Sequence, residues 1–401
     1  MILGAGQAGE RLAAALRDGG HGGEILLLGA EPDPPYQRPP LSKAYLLGEM
    51  ARERLHLRAP AWYADHGVAL RLGAPATSVS LAERTVTVGG EAIAWDALAF
   101  ATGSEAVPLP HHCTGGLPVH LLRTLADADR LAPEIREGRR LLVVGGGYVG
   151  LEVAAVAASR GMRVTVVELA HRILGRVAAP ETADWYRALH RAHGVEIREG
   201  VGLDRLLGAE GRVEGARLTD EAEIAVDAVV AGVGARPATA LAEAAGIACE
   251  GGILVDELGR TSAPGVWAAG DCARLPLNGR LVRLESVQNA IDGAEAVARA
   301  MLGGADPYTP RPWFWSDQYD VKLQIAGLSE GHDRVAVRDG SGSSGGGGRS
   351  HWYYRGGRLV AVDAMNAPRD YMVGKRLIEA GRSPGPEAVE AAPDAKALLG
   401  A

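Results

Sequence analysis

Two stretches of the chain share one pattern: a short apolar run, a glycine-spaced turn, then a helical segment. Met1-Ile2-Leu3 leads into Gly4-Ala5-Gly6-Gln7-Ala8-Gly9 and ERLAAALRDGG, after which EILLLGAE reads as a strand. RRLLVV at 139–144 leads into Gly145-Gly146-Gly147-Tyr148-Val149-Gly150 and LEVAAVAASRG, with a second strand from Met162 to Glu168. In a GxGxxG placed between strand and helix, the first glycine permits the tight turn and the second lets the backbone approach a pyrophosphate. The third allows helix and strand to pack closely, and the helix N-terminus faces the phosphates. An acidic residue follows each turn, Glu31 at 22 positions after Gly9 and Glu168 at 18 after Gly150. One chain therefore carries two predicted dinucleotide-binding units, with Gly4, Gly6, Gly9 and Gly145, Gly147, Gly150 at their phosphate turns.

Between the units, WDALAFATGSEAVPLP reads as a buried strand, a glycine turn and a proline-rich exit, and AVDAVVAGVGARP as the matching return. The first unit is thus expected to be interrupted by the second. That gives residues 1–107 and 235–308 as one discontinuous domain and 108–234 as the inserted one. Beyond Pro307 the composition changes: Trp313, Phe314 and Trp315 cluster, and VKLQIAGL, RVAVRD, HWYYR and RLVAVDAM read as strands, interrupted by the nine Gly/Ser residues 340–348. The expected fold is α/β, two Rossmann-like domains with the first interrupted by the second, plus a small α+β domain over 309–401.

Composition narrows the function. The 401 residues carry 42 Lys and Arg against 49 Asp and Glu, a formal charge of −7 that argues against nucleic acid as partner. No apolar run approaches the about 18–20 residues of a membrane span, and no signal segment opens the chain, so a cytoplasmic protein is expected. Cys113, Cys249 and Cys272 lie far apart, without a CxxC, a disulfide framework or zinc spacing. Redox chemistry here needs a bound cofactor.

Two dinucleotide sites suggest a bound flavin and an exchangeable nicotinamide dinucleotide, since a flavin can take a hydride and release electrons singly. The glycines do not say which is which. TSAPGVWAAGDCAR does help, because it delivers Asp271 at the C-terminal end of an apolar strand, where open α/β sheets bind ligands. There the carboxylate could meet a flavin ribityl hydroxyl, or it could be the N-cap of a following helix.

YQRPPLSKAYL (36–46), ATG (101–103), LLRTLADA (121–128), GGGYVGLE (145–152), GVGARP (232–237), GDCA (270–273), ESVQNA (285–290) and PWFWSDQY (312–319) together resemble the FAD-dependent pyridine nucleotide reductases. Within them they resemble the ferredoxin reductases that serve cytochrome P450 and ring-hydroxylating dioxygenase systems, and the likeness runs over nearly the whole chain. The resemblance implies that Gly4, Gly6 and Gly9 receive the FAD pyrophosphate, that Lys43 lies beside the isoalloxazine ring, and that Val79, Arg123, Asp271 and Val287 also touch FAD. It implies that Gly147, Val149, Glu168 and Gly234 bind NADH. Glu152 would sit near the hydride-transfer position, paired with Lys43, and Trp315 close to the flavin on the partner side.

There are departures from the family pattern. Only three residues precede Gly4, so a truncated or misassigned start is expected, and Ala30 stands where relatives often have an acid, which leaves the ribose contact of Glu31 open. Residues 32–58 contain no Cys where disulfide reductases carry CxxxxC. Taken without the resemblance, Lys43 is a lysine in a proline-rich loop and Glu152 a first-turn helix acid. Trp313 and Trp315 are core or interface anchors, Cys272 a small buried thiol, and His190 with His193 a solvated helix face.

The chemistry implied is hydride transfer from NADH to FAD, then two single-electron transfers to a [2Fe-2S] ferredoxin, in a monomer or homodimer. A rubredoxin reductase, an NADH oxidase and a binding or signalling flavoprotein like apoptosis-inducing factor are the alternatives.

Overall fold

The computed structural model describes residues 1–339 and 348–400; of the Gly/Ser stretch only Gly348 falls within the described residues. The chain forms two compact units. One comprises Met1–Arg38, Ala51–Glu105 and Ala235–Pro312, the other Pro39–Met50, Ala106–Gly234 and Trp313–Ala401.

The first unit is built on a five-stranded parallel sheet in the order Val266–Ala268, Leu98–Phe100, Ile2–Leu3, Ile25–Leu28, Val68–Arg71. The two-residue opening strand lies at its centre, with Leu3 opposite Leu28 on one side and Phe100 on the other. Its central strands are apolar throughout, as a parallel sheet covered on both faces requires. Val266–Ala268 comes from chain beyond the second glycine motif and pairs in register with Leu98–Phe100, so this unit is discontinuous in sequence. On one face, helix Gln7–Asp18 brings Leu12, Ala13 and Leu16 into a buried cluster with Ala290, Ala294 and Val297 of helix Val287–Met301.

The second unit holds another parallel sheet, Glu196–Glu199, Arg163–Glu168, Arg140–Val144 and Ala228–Ala231. Helix Tyr148–Ser159 follows its glycine turn, and helix Pro180–Ala192 precedes the edge strand. In the same unit, the C-terminal segment forms an antiparallel sheet in the order Trp313–Gln318, Val321–Gly327, Arg358–Met365, Arg349–Arg355, Arg334–Asp339. Helix Pro368–Glu379 covers it, with Val373 and Leu377 against Trp352, Tyr354 and Val362. No helix among the described residues is long and apolar enough to cross a membrane.

Candidate functional site

In the first unit the glycine turn is dictated by close approach. Gly4 has φ +111°, and a Cβ there would lie 2.1 Å from the Ala101 carbonyl oxygen; one on Gly9 would lie 1.8 Å from that of Gly4. Gly6 is different: a Cβ would meet nothing within 4 Å among the described residues. Gly6 also opens helix Gln7–Asp18, and no side chain among the described residues caps it. Helix-start amides without intrahelical partners and clear space above the second glycine make an anion cradle, which suits a dinucleotide pyrophosphate.

Around this cradle, Glu31 accepts from the Tyr36 hydroxyl at 2.5 Å and from Arg38 Nη2 at 2.6 Å. Asp271 accepts from Ser104 Oγ at 2.9 Å. It lies in a short 3-10 turn, Gly270–Cys272, and the strand Ala273–Leu277 comes next. The N-cap alternative for Asp271 therefore does not hold, because no helix follows it. Val79 belongs to strand Ala76–Ser80 and packs on the unit's core. Val287 begins a helix whose N-cap, Ser286, accepts from the Asn289 amide at 3.1 Å. Cys272 is fully buried with its thiol toward the carbonyls of Ala269 and Phe100, and burial pushes its pKa up.

The second unit repeats the cradle. Gly145 has φ +104° and no room for a Cβ, which would lie 2.5 Å from the Gly232 oxygen, and one on Gly150 would lie 2.3 Å from that of Gly145. A Cβ on Gly147 would find its nearest neighbour at 3.9 Å, and Gly147 opens helix Tyr148–Ser159 without a side-chain cap among the described residues. Val149 is exposed beside it. Glu168, at the end of its strand, accepts from the amides of Gly146 and Ala170, each at 2.8 Å. Gly234 holds φ +121° against the Arg176 guanidinium. The Arg123 amide donates to Asp127 Oδ2 at 3.1 Å, just ahead of a capping box formed by Thr124 and Asp127.

Lys43, Glu152 and the aromatic strand also meet in this unit. Lys43 Nζ lies 2.8 Å from Glu152 Oε2, with the side chains only 15% and 4% exposed. Glu152 faces inward from the second turn of its helix, not from the first turn expected from the sequence. Two periodicities match here. Four helical residues rise about 6 Å and two strand residues about 6.6 Å, so Tyr148 and Glu152 meet Phe314 and Ser316 as successive rungs. The Tyr148 and Phe314 ring centroids are 4.7 Å apart, and Ser316 Oγ donates to Glu152 Oε1 at 2.6 Å. Ser42 Oγ donates to Glu152 Oε2 at 2.5 Å. Alternation sends Trp313 and Trp315 to the other face, ring centroids 5.4 Å apart and both partly exposed.

The reading of His190 as part of a solvated face is corrected. His190 is 0% exposed: its Nε2 lies 2.7 Å from Gln318 Oε1 and its Nδ1 3.1 Å from the Tyr319 hydroxyl. Helix Pro180–Ala192 turns this edge toward the C-terminal sheet, a tertiary contact that the helix's own composition does not announce. His193 is exposed and stacks on the Tyr319 ring at 3.7 Å. No metal-binding cluster exists among the described residues. Sequence reasoning passed over Ser42, Ser316, Gln318 and Arg38. The signal for Ser316 and Gln318 was the period-2 alternation of WFWSDQ, which puts both on the face opposite the tryptophans.

Comparison with known proteins places this geometry among others of its kind. Residues 1–294 match the family described as pyridine nucleotide-disulphide oxidoreductase, and residues 313–399 match that described as reductase C-terminal. The chain is 42% identical over 387 residues to a ferredoxin–NAD(P)(+) reductase of Sphingomonas, covering 95% of this chain and 92% of that protein. Its structure resembles that of the reductase in a covalent putidaredoxin reductase–putidaredoxin complex, with TM-score 0.92, 37% identity, and 100% and 97% of the two chains covered. It also resembles the ferredoxin reductase for the CYP199A2 system from Rhodopseudomonas palustris, with TM-score 0.94, 36% identity and 99% of each chain covered.

Proposed function

The chain belongs to the pyridine nucleotide-disulphide oxidoreductase family, and from that premise we propose that it is an FAD-dependent reductase passing electrons from NADH to a [2Fe-2S] ferredoxin. The observation that carries this reading is the pair of cradles: two helix starts with no side-chain cap among the described residues, each behind a glycine with open space above it, at Gly6 and Gly147. The relatives named for ferredoxin and putidaredoxin reduction support the choice of acceptor. The absence of Cys from residues 32–58 speaks against dithiol exchange as the route.

When bound, FAD supplies the conversion of a two-electron donation into two one-electron transfers. The balance is one NADH and two oxidised ferredoxins giving NAD+, one proton and two reduced ferredoxins. The chain's own residues bind and orient. Gly4, Gly6 and Gly9 with Asp271 would hold FAD, together with Val79 and Val287, and Arg123 would touch FAD as the family resemblance implies. Gly147, Val149, Glu168 and Gly234 hold NADH. Lys43 and Glu152, neutralised by each other, present an ammonium at the reacting rings, and Trp315 forms the wall on the acceptor side. Residues 1–107 with 235–308 would then be the FAD domain, 108–234 the NAD domain and 309–401 the C-terminal domain. The setting would be the cytoplasm, where NADH is made, and the terminal acceptor a cytochrome P450 or a ring-hydroxylating oxygenase.

The test is anaerobic stopped flow on purified yellow protein carrying one FAD per chain. NADH should bleach the flavin, and two equivalents of oxidised ferredoxin should restore its colour. Turnover with rubredoxin, quinone or oxygen but not ferredoxin would move the assignment to a rubredoxin reductase or an NADH oxidase. Reduction without appreciable turnover on any acceptor would favour a binding or signalling flavoprotein.

A further inference from the structure

Beyond Glu152 the hydrogen bonds run on in one direction, through residues that the proposed function does not use. Gln318 Nε2 donates to Ser316 Oγ at 3.1 Å, Gln318 Oε1 lies 2.7 Å from His190 Nε2, and His190 Nδ1 lies 3.1 Å from the Tyr319 hydroxyl. Ser316, Gln318 and His190 are all buried. Chemistry settles the proton on each atom. An ionised carboxylate only accepts, so the single hydroxyl proton of Ser316 goes to Glu152 Oε1. Ser316 must then accept from an N–H, which turns the amide nitrogen of Gln318 toward it and the amide oxygen toward His190. A neutral imidazole facing that oxygen must carry its proton on Nε2, which leaves Nδ1 to accept from Tyr319. Burial lowers the His190 pKa to about 4, which keeps the ring neutral near pH 7. Tyr319 reaches it from a hairpin turn at φ 56°, a region that bulky side chains seldom adopt.

We propose that Gln318 and His190 are positioning residues for Glu152: their fixed amide orientation and tautomer hold Ser316 as a donor to one carboxylate oxygen, leaving the other for Ser42 and Lys43. Among the described residues Lys43 Nζ then has two acceptors, Glu152 Oε2 at 2.8 Å and Pro39 O at 3.2 Å, for three protons. The aim of the third follows from where Glu152 is held. The proposal rests on the placement of Glu152 near the hydride-transfer position, and it adds that this placement is set from a histidine on a different helix.

Two measurements on the FAD-loaded full chain test it. In 15N-labelled protein, the His190 ring should show the Nε2–H tautomer at pH 7; an Nδ1–H tautomer would overturn the proposal, whatever the variants do. In stopped flow, Gln318→Glu cannot donate to Ser316 and should convert His190 to imidazolium. It should lower the limiting rate of flavin bleaching by about three- to tenfold, the worth of a lost neutral hydrogen bond, with the Kd for NADH unchanged. His190→Leu should do the same, whereas His190→Gln, which can still donate to the Gln318 oxygen, should recover most of the rate. A lowered melting temperature with an unaltered limiting rate is the mark of a merely structural cluster and overturns the proposal. Glu152→Gln is the control: if it too leaves bleaching unaltered, the placement of Glu152 fails, and the proposal with it. If it slows bleaching while the Gln318 and His190 variants do not, only the positioning role is lost.

Discussion

Glu168 Oε2 accepts the amide of Gly146 at 2.8 Å, tying the end of one strand back to the glycine turn 22 residues earlier. Its other oxygen accepts from Ala170 N at 2.8 Å, so two backbone amides fix the carboxylate at the mouth of the second cradle. Oriented in this way, the carboxylate retains lone pairs for a ribose 2′-hydroxyl and repels a 2′-phosphate. NADH should therefore be preferred over NADPH, and Glu168→Ser should narrow the ratio of kcat/KM by about tenfold or more. Flavin bleaching with each coenzyme measures it. Equal efficiency in the unsubstituted protein would show that Glu168 does not read the ribose, and Arg172, four residues on, is then the side chain to examine.

Asp271→Ala should weaken FAD retention by about one to two decades, because a hydrogen bond to a charged group contributes about 1.5–3 kcal/mol. Ser104, which donates to this carboxylate at 2.9 Å, fixes its orientation. Apoprotein reconstituted with graded FAD gives the Kd; an unchanged value would remove Asp271 from the site.

Trp315→Ala should alter two separate signals, the rate of ferredoxin reduction and the long-wavelength charge-transfer band of reduced flavin with NAD+. If both stay as they were and only the melting temperature falls, Trp315 is a packing anchor paired with Trp313, whose ring lies 5.4 Å away.

No thiol is expected to take part. Cys113 and Cys272 are buried, and burial raises the pKa of all three thiols, away from the reactive thiolate. Replacing each by Ala should leave NADH-driven ferricyanide reduction near its original rate. A tenfold loss from Cys272 alone, at full FAD content, would assign that thiol a part in tuning the flavin.

Asp363 gives a prediction for stability. It is 1% exposed, accepts from Thr182 Oγ at 2.7 Å and from the Tyr353 hydroxyl at 3.1 Å, and burial raises its pKa from 3.8 to about 6. The folded state thus holds a proton that the unfolded chain releases earlier. The stability it contributes is full below about pH 4 and is lost as pH rises through about 6. Asp363→Asn should remove that dependence, gaining relative to the unsubstituted protein between pH 4 and pH 7 by on the order of 2–3 kcal/mol. Denaturant melts at both pH values test it; parallel curves would show that folding does not raise the Asp363 pKa.

Much of the fold was legible because glycine spacing and apolar runs are local signals. Gly4 and Gly145 have positive φ and no room for a side chain, and Ile2–Leu3 and Arg140–Val144 read as strands from composition alone. The candidate site was legible only in part, because its partners come from chain segments far apart. Ser316 stands 164 positions from Glu152, and Gln318 stands 128 from His190. Nothing local to helix Pro180–Ala192 distinguishes its buried His190 from the exposed His193 at its C-cap. Alternation along WFWSDQ separates Ser316 and Gln318 from the tryptophans, but it does not say which of the two faces is buried.

Gly147 and Glu152 belong to one helix, the first at its mouth and the second five residues in, about 7.5 Å along the axis. A rigid rod has no way to adjust one without the other. Substitutions that retune coenzyme choice by tilting this helix would drag the carboxylate with them, and those that reshape the carboxylate's surroundings would press on the phosphate turn. Selection for a new electron donor would then arrive coupled to a change in reduction speed, and swaps confined to the neighbouring strand end at Glu168 would be the cheaper evolutionary route.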